Sequence, residues 1–226
     1  MMGQASFDLI VIGAGQAGPF LAAKLAHAGK KVALIEARQL GGTCVNRGCT
    51  PTKTRRKPAR VAYMARRAAE FGVDVGPVTV NFGVAMARMR KRITDARTGL
   101  EGWLGALPGL TIHYAHGQLA GRDGADFIVQ AGEHTLRAPQ VVLNTGTRSF
   151  MPPIPGLSTV PALDSEGLLA LDELPKKLVI IGGGYISLEM AQIFRRLGAE
   201  VSVIENNPRL TSREDLDVSA AITDLL

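Results

Sequence analysis

The sequence predicts an α/β fold in which two similar units follow one another along the chain. The prediction rests on a pattern that occurs twice: a short apolar strand, a glycine-rich turn, a helix, and a second strand that ends in a glutamate. Glu36 stands 23 positions after Gly13, and Glu205 stands 23 positions after Gly182. Between the copies, residues 150–156 carry three prolines within four positions, which indicates a stiff connector.

The first copy begins with residues 7–12, a short, apolar and β-branched run that is typical of a buried parallel strand. The turn Gly13-Ala-Gly15-Gln-Ala-Gly18 matches G-x-G-x-x-G, and a predicted helix and a strand ending at Glu36 follow. This order indicates a Rossmann-like unit: the glycines admit a pyrophosphate to the helix N-terminus, and the acid accepts hydrogen bonds from ribose hydroxyls. A glycine-rich turn that binds no ligand is the alternative.

The middle of the chain reads as inserted helices and a small β-meander. Residues 55–107 are predicted to be mainly helical with an interruption at 73–80, and Pro58 is expected to break or kink any helix that starts at Cys49. The meander is predicted from three short runs separated by glycine turns, and a further buried strand from a fourth. These runs are residues 110–115, 126–130, 133–137 and 140–146.

The second copy restarts the pattern at residues 177–181. Its glycine turn is Gly182-Gly-Gly184, Ser187 occupies the position of the third glycine, and a helix and a strand ending at Glu205 follow. Two such folds in one chain imply two dinucleotides.

Composition and charge argue against nucleic acid and membranes as partners. The net charge is +6, but seven of the 26 basic residues fall in residues 53–67, where only Tyr63 is interleaved, so a solvated helix face is favoured over a base-stacking surface. No secretory signal and no run of about 20 apolar residues is present, which predicts a soluble cytoplasmic protein.

The chain has two cysteines, Cys44 and Cys49, with four residues between them. In a reducing compartment, a close cysteine pair is more often catalytic or metal-binding than a structural cross-link. A zinc site is disfavoured, because zinc usually takes repeated close ligand pairs and the four histidines are not clustered. Two unrelated free cysteines remain the alternative.

Residues 41–54, Gly-Gly-Thr-Cys-Val-Asn-Arg-Gly-Cys-Thr-Pro-Thr-Lys-Thr, resemble the redox-active disulfide segment of the flavin-dependent pyridine nucleotide–disulfide oxidoreductases. That family includes dihydrolipoamide dehydrogenase, glutathione reductase and mercuric reductase. Asn144-Thr-Gly146 is similar to its Ala-Thr-Gly segment, with asparagine in place of alanine. The resemblance implies an FAD-dependent oxidoreductase that passes electrons from NAD(P)H through FAD to a Cys44–Cys49 disulfide, and on to a disulfide or metal-ion acceptor.

The resemblance also implies the site residues. FAD is expected beside Gly13, Gly15, Gly18, Glu36, Gly42, Thr43, Lys53, Gly117, Thr145 and Gly146. The nicotinamide cofactor is expected beside Gly182, Gly184, Tyr185, Ile186, Glu189 and Glu205. Tyr185 matches a gating residue, and Lys53 with Glu189 matches an ion pair beside the flavin that stabilises its reduced anion. Two ordinary surface charges are the alternative for that pair.

The implied disulfide closes a small, strained loop, which raises its reduction potential. A helix that starts at Cys49 would favour the Cys49 thiolate through its dipole, and Lys53 would add to this effect. By resemblance, Cys49 faces the flavin and Cys44 meets the substrate.

The chain also departs from the family. Arg55-Arg-Lys-Pro58 replaces the usual apolar continuation of the redox helix. A later FAD segment, and the C-terminal dimer domain whose His–Glu pair acts across the homodimer of full-length relatives, are not found before Leu226. The predicted domains are therefore an FAD domain with the disulfide (1–149), a connector (150–176) and a partial NAD(P) domain (177–226). A truncated, non-catalytic FAD-binding remnant is the alternative function.

The acceptor stays open between a small-molecule or protein disulfide and mercuric ion, since the motifs are similar to mercuric reductase and dihydrolipoamide dehydrogenase alike. Glu205 would repel a 2′-phosphate and favours NADH, whereas Arg209 leaves NADPH possible.

Overall fold

The computed structural model describes residues 5–226, which form two compact units. Unit 1 comprises the described residues up to Pro51 together with Lys91–Asp164, and unit 2 comprises Thr52–Arg90 and Ser165–Leu226. Both contain parallel β-strands, so the chain has the α/β class that the sequence predicts. The predicted domain boundaries at 150 and 177 stay a prediction.

The described residues contain seven α-helices and ten strands. The helices are α1 (Ala17–His27), α2 (Gly42–Asn46), α3 (Cys49–Arg66), α4 (Phe82–Gly105), α5 (Ser165–Ala170), α6 (Tyr185–Leu197) and α7 (Leu216–Asp224). The strands are β1 (Ala5–Ser6), β2 (Leu9–Ile12), β3 (Val32–Glu36), β4 (Leu110–Tyr114), β5 (Gly117–Asp123), β6 (Asp126–Ala131), β7 (His134–Ala138), β8 (Val141–Leu143), β9 (Lys177–Ile181) and β10 (Glu200–Ile204). Among the described residues, no helix is long and apolar enough to span a membrane.

Unit 1 is built on a four-stranded parallel sheet in the order β4-β3-β2-β8. All four residues of β2 are buried, because each face of the strand packs against a different layer. Leu9 and Val11 join a cluster with Ala22 of α1, whereas Ile10 and Ile12 join a cluster with the second sheet. This double burial explains why β2 is apolar at every position instead of alternating.

The second sheet of unit 1 has the order β1-β7-β6-β5, and its strands β5, β6 and β7 form the antiparallel meander. The sequence prediction had assigned residues 110–115 to this meander, which is wrong: β4 pairs in parallel with β3. The first meander strand is instead β5, in which a register shift between Leu119 and Gly121 interrupts the pairing with β6. Glycines within a strand weaken its sequence signal, which is why β5 was not predicted.

Unit 2 contains a two-stranded parallel sheet, β10-β9, against which α6 packs. α6 begins at Tyr185, directly after the glycine turn, and buries Leu188, Ala191 and Phe194. The strands alternate between partly buried and exposed residues, so one face of this sheet lies open to solvent.

The expectation that Pro58 breaks the helix starting at Cys49 is wrong, because α3 continues from Cys49 to Arg66 with Pro58 inside it; a kink at Pro58 stays a prediction. Proline has no N–H, so the carbonyl of Thr54 loses its ordinary intrahelical donor. The guanidinium of Arg88 on α4 donates to that carbonyl at 3.3 Å. A tertiary contact thus replaces the missing backbone hydrogen bond.

Candidate functional site

The glycine turn of unit 1 is packed so closely that side chains are excluded from it. Gly13 has a φ of 105°, and a Cβ there would lie 2.2 Å from the carbonyl oxygen of Asn144. A Cβ on Gly18 would lie 2.3 Å from the carbonyl oxygen of Gly13. Only glycine fits these positions, which leaves bare backbone N–H groups at the start of α1.

Glu36, at the end of β3, reaches back to this turn. Its Oε2 accepts a hydrogen bond from the N–H of Ala14 at 2.8 Å, and its Oε1 accepts one from the N–H of Arg38 at 2.7 Å. The carboxylate is therefore held beside the turn by backbone groups.

Other predicted positions gather around the same turn. A Cβ on Gly42 would lie 2.6 Å from the Cα of Gly15, and the Gly41 N–H donates to the carbonyl of Ala14 at 2.9 Å. Gly117 packs against Ile12 and Ile35, where its Cβ would lie 2.9 Å from the Ile12 side chain.

Three further predicted residues differ in how closely they approach the turn. The Thr145 nitrogen would lie 3.2 Å from a Cβ on Gly13. Thr43 is exposed on α2, and Gly146 faces open space with a φ of 71°. The structure thus brings Thr145 to the turn, and it shows no such contact for Thr43 or Gly146.

Asn144 is a site residue whose role sequence reasoning missed. Its backbone N–H donates to the carbonyl of Ile12 at 2.7 Å, and its side-chain Nδ2 donates to the carbonyl of Gly13 at 3.0 Å. The amide thereby fastens the end of β8 to the glycine turn. The available signal was the asparagine itself, since the family segment has an alanine there.

The two cysteines lie together in unit 1. Cys44 is half-buried on α2, and Cys49 is exposed at the first position of α3. Burial, followed by the hydrogen bond to Cys49 and the charge of Cys49, raises the pKa of Cys44 to about 11. At neutral pH Cys44 of the reduced pair is therefore protonated.

A buried asparagine supports the segment that carries Cys44. The Nδ2 of Asn46 donates to the carbonyls of Leu40 and Gly42, each at 2.9 Å. These bonds fix α2 beside the glycine turn, and sequence reasoning gave Asn46 no role.

Unit 2 repeats the arrangement of the acid and the turn. The Oε2 of Glu205 accepts from the Gly183 N–H at 2.5 Å, and its Oε1 accepts from the Asn207 N–H at 2.8 Å. These hydrogen bonds, that of Asn207 foremost, hold the pKa of Glu205 below its ordinary range, so the carboxylate is charged at neutral pH. Gly182 has a φ of 103°, and Gly184 caps α6.

Tyr185 and Ile186 are the first two residues of α6, and both are exposed. Glu189, one turn further along α6, forms an ion pair with Lys53 of α3. The Lys53 and Glu189 side chains are 58% and 38% exposed, so this ion pair is accessible to solvent. The structure therefore brings the two predicted charges together within unit 2.

Arg209 is bound within its own loop. Its guanidinium donates to the carbonyls of Ser212 and Glu214, each at 2.8 Å. The neighbouring Thr211 has a φ of 46°, and its N–H donates to the carbonyl of Gly183 at 2.9 Å. This loop thus packs back onto the glycine turn, with the guanidinium of Arg209 already engaged.

The glycine turns with their acids and the cysteine pair define a nucleotide-binding redox protein. The chain belongs to the pyridine nucleotide-disulphide oxidoreductase family, whose sequence model matches residues 7–226. Members of this family use FAD and NAD(P)H. Among residues 5–226, no group of three or more His, Cys, Asp and Glu side chains is placed to hold a metal ion.

Two relatives of this chain are named for different activities. A dihydrolipoyl dehydrogenase of Chlamydia trachomatis is 37% identical over 222 residues, covering 97% of this chain and 47% of that protein. A mercuric reductase of Shigella flexneri is 34% identical over 223 residues, covering 96% of this chain and 39% of that protein. The chain thus spans about half the length of the curated relatives that it matches.

A solved structure has the same fold. The Cu(II) complex of the HOCl-induced flavoprotein disulfide reductase RclA from Escherichia coli superposes with a TM-score of 0.81 at 32% identity, covering 99% of this chain and 47% of that one.

The residues of unit 1 fit an FAD. The turn leaves backbone where any Cβ would collide, the N–H groups at the start of α1 are suited to a pyrophosphate, and Glu36 is suited to a ribose. Unit 2 repeats two of these features for a nicotinamide dinucleotide, the hydrogen bond from the turn to Glu205 and the helix that begins after Gly184, but its turn is less crowded at Gly182 and Gly184.

Proposed function

We propose that this chain acts as an FAD-dependent oxidoreductase, in which electrons pass from NAD(P)H through FAD to a disulfide between Cys44 and Cys49, and on to an external acceptor. The observation that carries the proposal is the cysteine pair. Cys44 and Cys49 are close enough for Cys49 to raise the pKa of Cys44, and both lie in the unit that also holds the Gly13 turn and Glu36. FAD, when bound, would supply the carrier between the nicotinamide and the disulfide.

With a disulfide as acceptor, NAD(P)H, a proton and the disulfide give NAD(P)⁺ and two thiols. With mercuric ion as acceptor, NAD(P)H and the ion give NAD(P)⁺, a released proton and the metal reduced by two electrons. Within the chain, the electron pair breaks the sulfur–sulfur bond, one proton is taken up by Cys44, and the negative charge resides on Cys49. The raised pKa of Cys44 supports this division. With a disulfide acceptor, Cys44 would attack one sulfur and its proton would pass to the first thiolate that leaves. Cys49 would then attack the sulfur of Cys44, the second thiolate would leave and take a proton from solvent, and the Cys44–Cys49 disulfide would form again.

Lys53 and Glu189 are assigned a role in charge stabilisation. Lys53 lies on the same helix as Cys49, four residues further on, and its ammonium is oriented by the ion pair with Glu189. A cation fixed in this way would stabilise negative charge that develops on a reduced cofactor, and Glu189 would keep the ammonium from turning away. Tyr185 and Ile186, exposed at the start of α6, would border the nicotinamide.

The acceptor belongs to one of two chemical classes, a disulfide or a thiophilic metal ion. Relatives named for lipoyl and for mercuric substrates match this chain at similar identity, and the RclA structure holds Cu(II). Both classes react with a thiolate at Cys44. The proposed location is the cytoplasm, where such thiols are kept reduced.

Among the nicotinamide cofactors, the proposed preference is NADH. The charged Glu205 carboxylate would repel a 2′-phosphate, and Arg209 is already bound to the carbonyls of Ser212 and Glu214. A 2′-phosphate would therefore meet a negative charge, and the guanidinium would have to break two hydrogen bonds to reach it.

A second candidate function is FAD binding without turnover. The observation that favours it is the two-stranded sheet of unit 2, where one face leaves Val179, Ile181 and Ile204 exposed. A nicotinamide site on so small a sheet would be held less firmly than the site in unit 1.

The 226-residue chain, purified and mixed with FAD, decides between the two candidates. The expected result is bound yellow flavin and NADH-dependent reduction of an aromatic model disulfide or of mercuric chloride. Cys44→Ser and Cys49→Ser should each keep the bound flavin and lose turnover. Bound flavin with no turnover in the unmodified chain would support the second candidate, and failure to bind flavin would contradict both.

The cofactor preference is tested by comparing kcat/KM for NADH and NADPH. We expect NADH to be favoured by about tenfold or more, equivalent to roughly 1.4 kcal/mol. Glu205→Gln should reduce this ratio because it removes the repelling charge, whereas the exposed Asn206→Ala serves as a control that should leave it unchanged. A preference for NADPH in the unmodified chain would refute the assignment.

A further inference from the structure

Arg55 is an unusual residue for its place in the fold, because its side chain is completely buried in unit 2. Burial, together with the charge of Arg90, lowers its pKa to about 10, so the guanidinium stays charged at neutral pH. A buried charge is costly unless its hydrogen-bonding groups are satisfied. The contacts of Arg55 therefore indicate what the charge does in this unit.

Those contacts join α3 to three other helices. The Nη1 of Arg55 donates to the carbonyl of Leu168 at 3.2 Å, and Nη2 donates to the carbonyl of Leu169 at 2.9 Å, both in the last turn of α5. Carbonyls at a helix C-terminus lack intrahelical donors, so the guanidinium completes the end of α5. Nη2 also lies 2.9 Å from the sulfur of Met86 on α4.

The guanidinium also stacks between two aromatic rings. Its central carbon lies 5.2 Å from the ring centroid of Phe194 on α6 and 5.9 Å from that of Phe82 on α4. Such cation–π contacts stabilise a charge that has left water. Phe194 itself is fully buried, so the contact fixes α3 against the core face of α6.

The contacts of Arg55 lie close in sequence to the Lys53–Glu189 ion pair on both α3 and α6. Lys53 precedes Arg55 by two residues on α3, and Glu189 precedes Phe194 by five residues on α6. Two long side chains on separate helices pair well only when the helices are held in one register, since an exposed ion pair alone is weak. Arg55 supplies a buried, directional contact that can hold that register.

We propose that Arg55 is a positioning residue that fixes α3 against α5 and α6, so that the ammonium of Lys53 meets the carboxylate of Glu189. The inference rests on the proposed function, in which that ion pair stabilises charge beside the cofactor. The planar guanidinium of Arg55 is essential to this role, because one group must donate to two carbonyls and contact two aromatic rings at once.

A zero-length carbodiimide cross-link tests the pairing directly, because an amide forms with loss of water only where an amine touches a carboxylate. The cross-link between Lys53 and Glu189 is quantified by mass spectrometry in the full chain. The link between Lys177 and Glu200, whose side chains lie 3.3 Å apart across β9 and β10, reports whether unit 2 is folded. Neither measurement needs a bound cofactor or turnover.

In Arg55→Met, the yield of the Lys53–Glu189 link should fall by roughly fivefold or more, the change in population that about 1 kcal/mol produces. The Lys177–Glu200 link should stay unchanged. Arg60→Met is the matched control, since Arg60 is an exposed arginine of the same helix, and both links should keep their yields. An unchanged Lys53–Glu189 yield in folded Arg55→Met would overturn the proposal.

If Arg55→Met loses the Lys177–Glu200 link and so fails to fold, Arg55→Lys carries the test. Lysine keeps the charge but cannot donate in the fork geometry, so a reduced Lys53–Glu189 yield supports the proposal and a full yield contradicts it. Loss of flavin binding in the unmodified chain would refute the proposed function while leaving the cross-linking result readable.

Discussion

The glycine turn at residues 13–18 and the one at residues 182–187 share their spacing and their acid, yet their surroundings differ. In the first, a Cβ on Gly18 would lie 2.3 Å from the backbone of Gly13. In the second, the equivalent position is Ser187, whose hydroxyl oxygen would lie 3.8 Å from a Cβ on Gly182. A Cβ on Gly13 would lie 2.2 Å from the Asn144 carbonyl oxygen, so the first glycine of the first turn is much more crowded than the first glycine of the second.

Neighbouring strands explain this difference. In unit 1 the end of β8 crosses the turn, and the Asn144 backbone occupies the space beside Gly13. The two-stranded sheet of unit 2 has no strand in that place among the described residues. The acid, by contrast, makes the same contact in both: Glu36 accepts from Ala14, and Glu205 accepts from Gly183. The local pattern therefore encodes the hydrogen bond, and the surrounding sheet determines how tightly the turn is packed.

The largest expected effect comes from exchanging the third residues of the two turns. Gly18→Ser should destabilise unit 1 by about 3 kcal/mol or more, because its Cβ would meet backbone that cannot move aside. Ser187→Gly should cost only about 0.5 kcal/mol, the difference in helix propensity. Urea denaturation followed by circular dichroism measures both variants, and the fluorescence of Trp103, the one tryptophan of the chain, reports separately on unit 1. Equal decreases in the free energy of unfolding of the two variants would contradict the difference in crowding between the two turns.

The next effect compares two isoleucines that each precede the first glycine of a turn. Ile12 is 6% exposed and Ile181 is 49% exposed. Ile12→Ala should cost about 2.5 kcal/mol through lost burial and a cavity, and Ile181→Ala should stay within about 0.5 kcal/mol. Denaturation followed by circular dichroism measures both. A large loss for Ile181→Ala would show that the open face of the second sheet is covered in solution.

A smaller effect tests the hydrogen bond from Asn144, the residue after β8, to the first glycine turn. Asn144→Ala should cost about 1 kcal/mol, because the carbonyl of Gly13 loses its donor. FAD affinity should fall with it, since the turn would be held less firmly. Asn206→Ala, in an exposed position after β10, is the control and should change neither quantity. Unchanged stability and affinity in Asn144→Ala would exclude a role for this amide.

The smallest effect concerns pH and the second turn. Hydrogen bonds depress the pKa of Glu205 below its ordinary value of 4.5, so its stabilising effect is present above that value and is lost as the pH falls through the lower, folded-state pKa. The free energy of unfolding should therefore fall below pH 4.5 in the unmodified chain and fall less steeply in Glu205→Gln. Parallel curves in urea titrations from pH 3 to pH 6 would contradict the expectation.

Much of the fold could be predicted because its signals are local. Residues 7–12 are apolar at every position, and the glycines and acids recur at one spacing, so both βαβ patterns were visible in the sequence. Strand order was not visible, because β4 resembles a meander strand and joins the parallel sheet only through tertiary pairing with β3. Pairing partners are a property of the whole unit, which short sequence windows do not contain.

The site was predicted less completely. The family motif pointed to Lys53 and Glu189, although they lie 136 positions apart, and the structure places them in contact. The roles of Asn144 and Asn46 depend on which carbonyls their amides reach, which spacing does not reveal. Arg55 reads as a solvent-exposed charge in a basic run, and its burial follows from the aromatic rings and helix end that surround it.

The hydrogen bond from Arg88 to the carbonyl of Thr54 bears on the order in which the chain folds. With Pro58 inside it, the segment Cys49–Arg66 lacks one backbone hydrogen bond near its middle, and short helices are already marginal in water. Its continuity therefore depends on a donor from α4, so α3 becomes a complete helix only when α4 docks. The ordering of the segment that bears Lys53 is in this way coupled to its contact with α4 and is not a property of its local sequence alone.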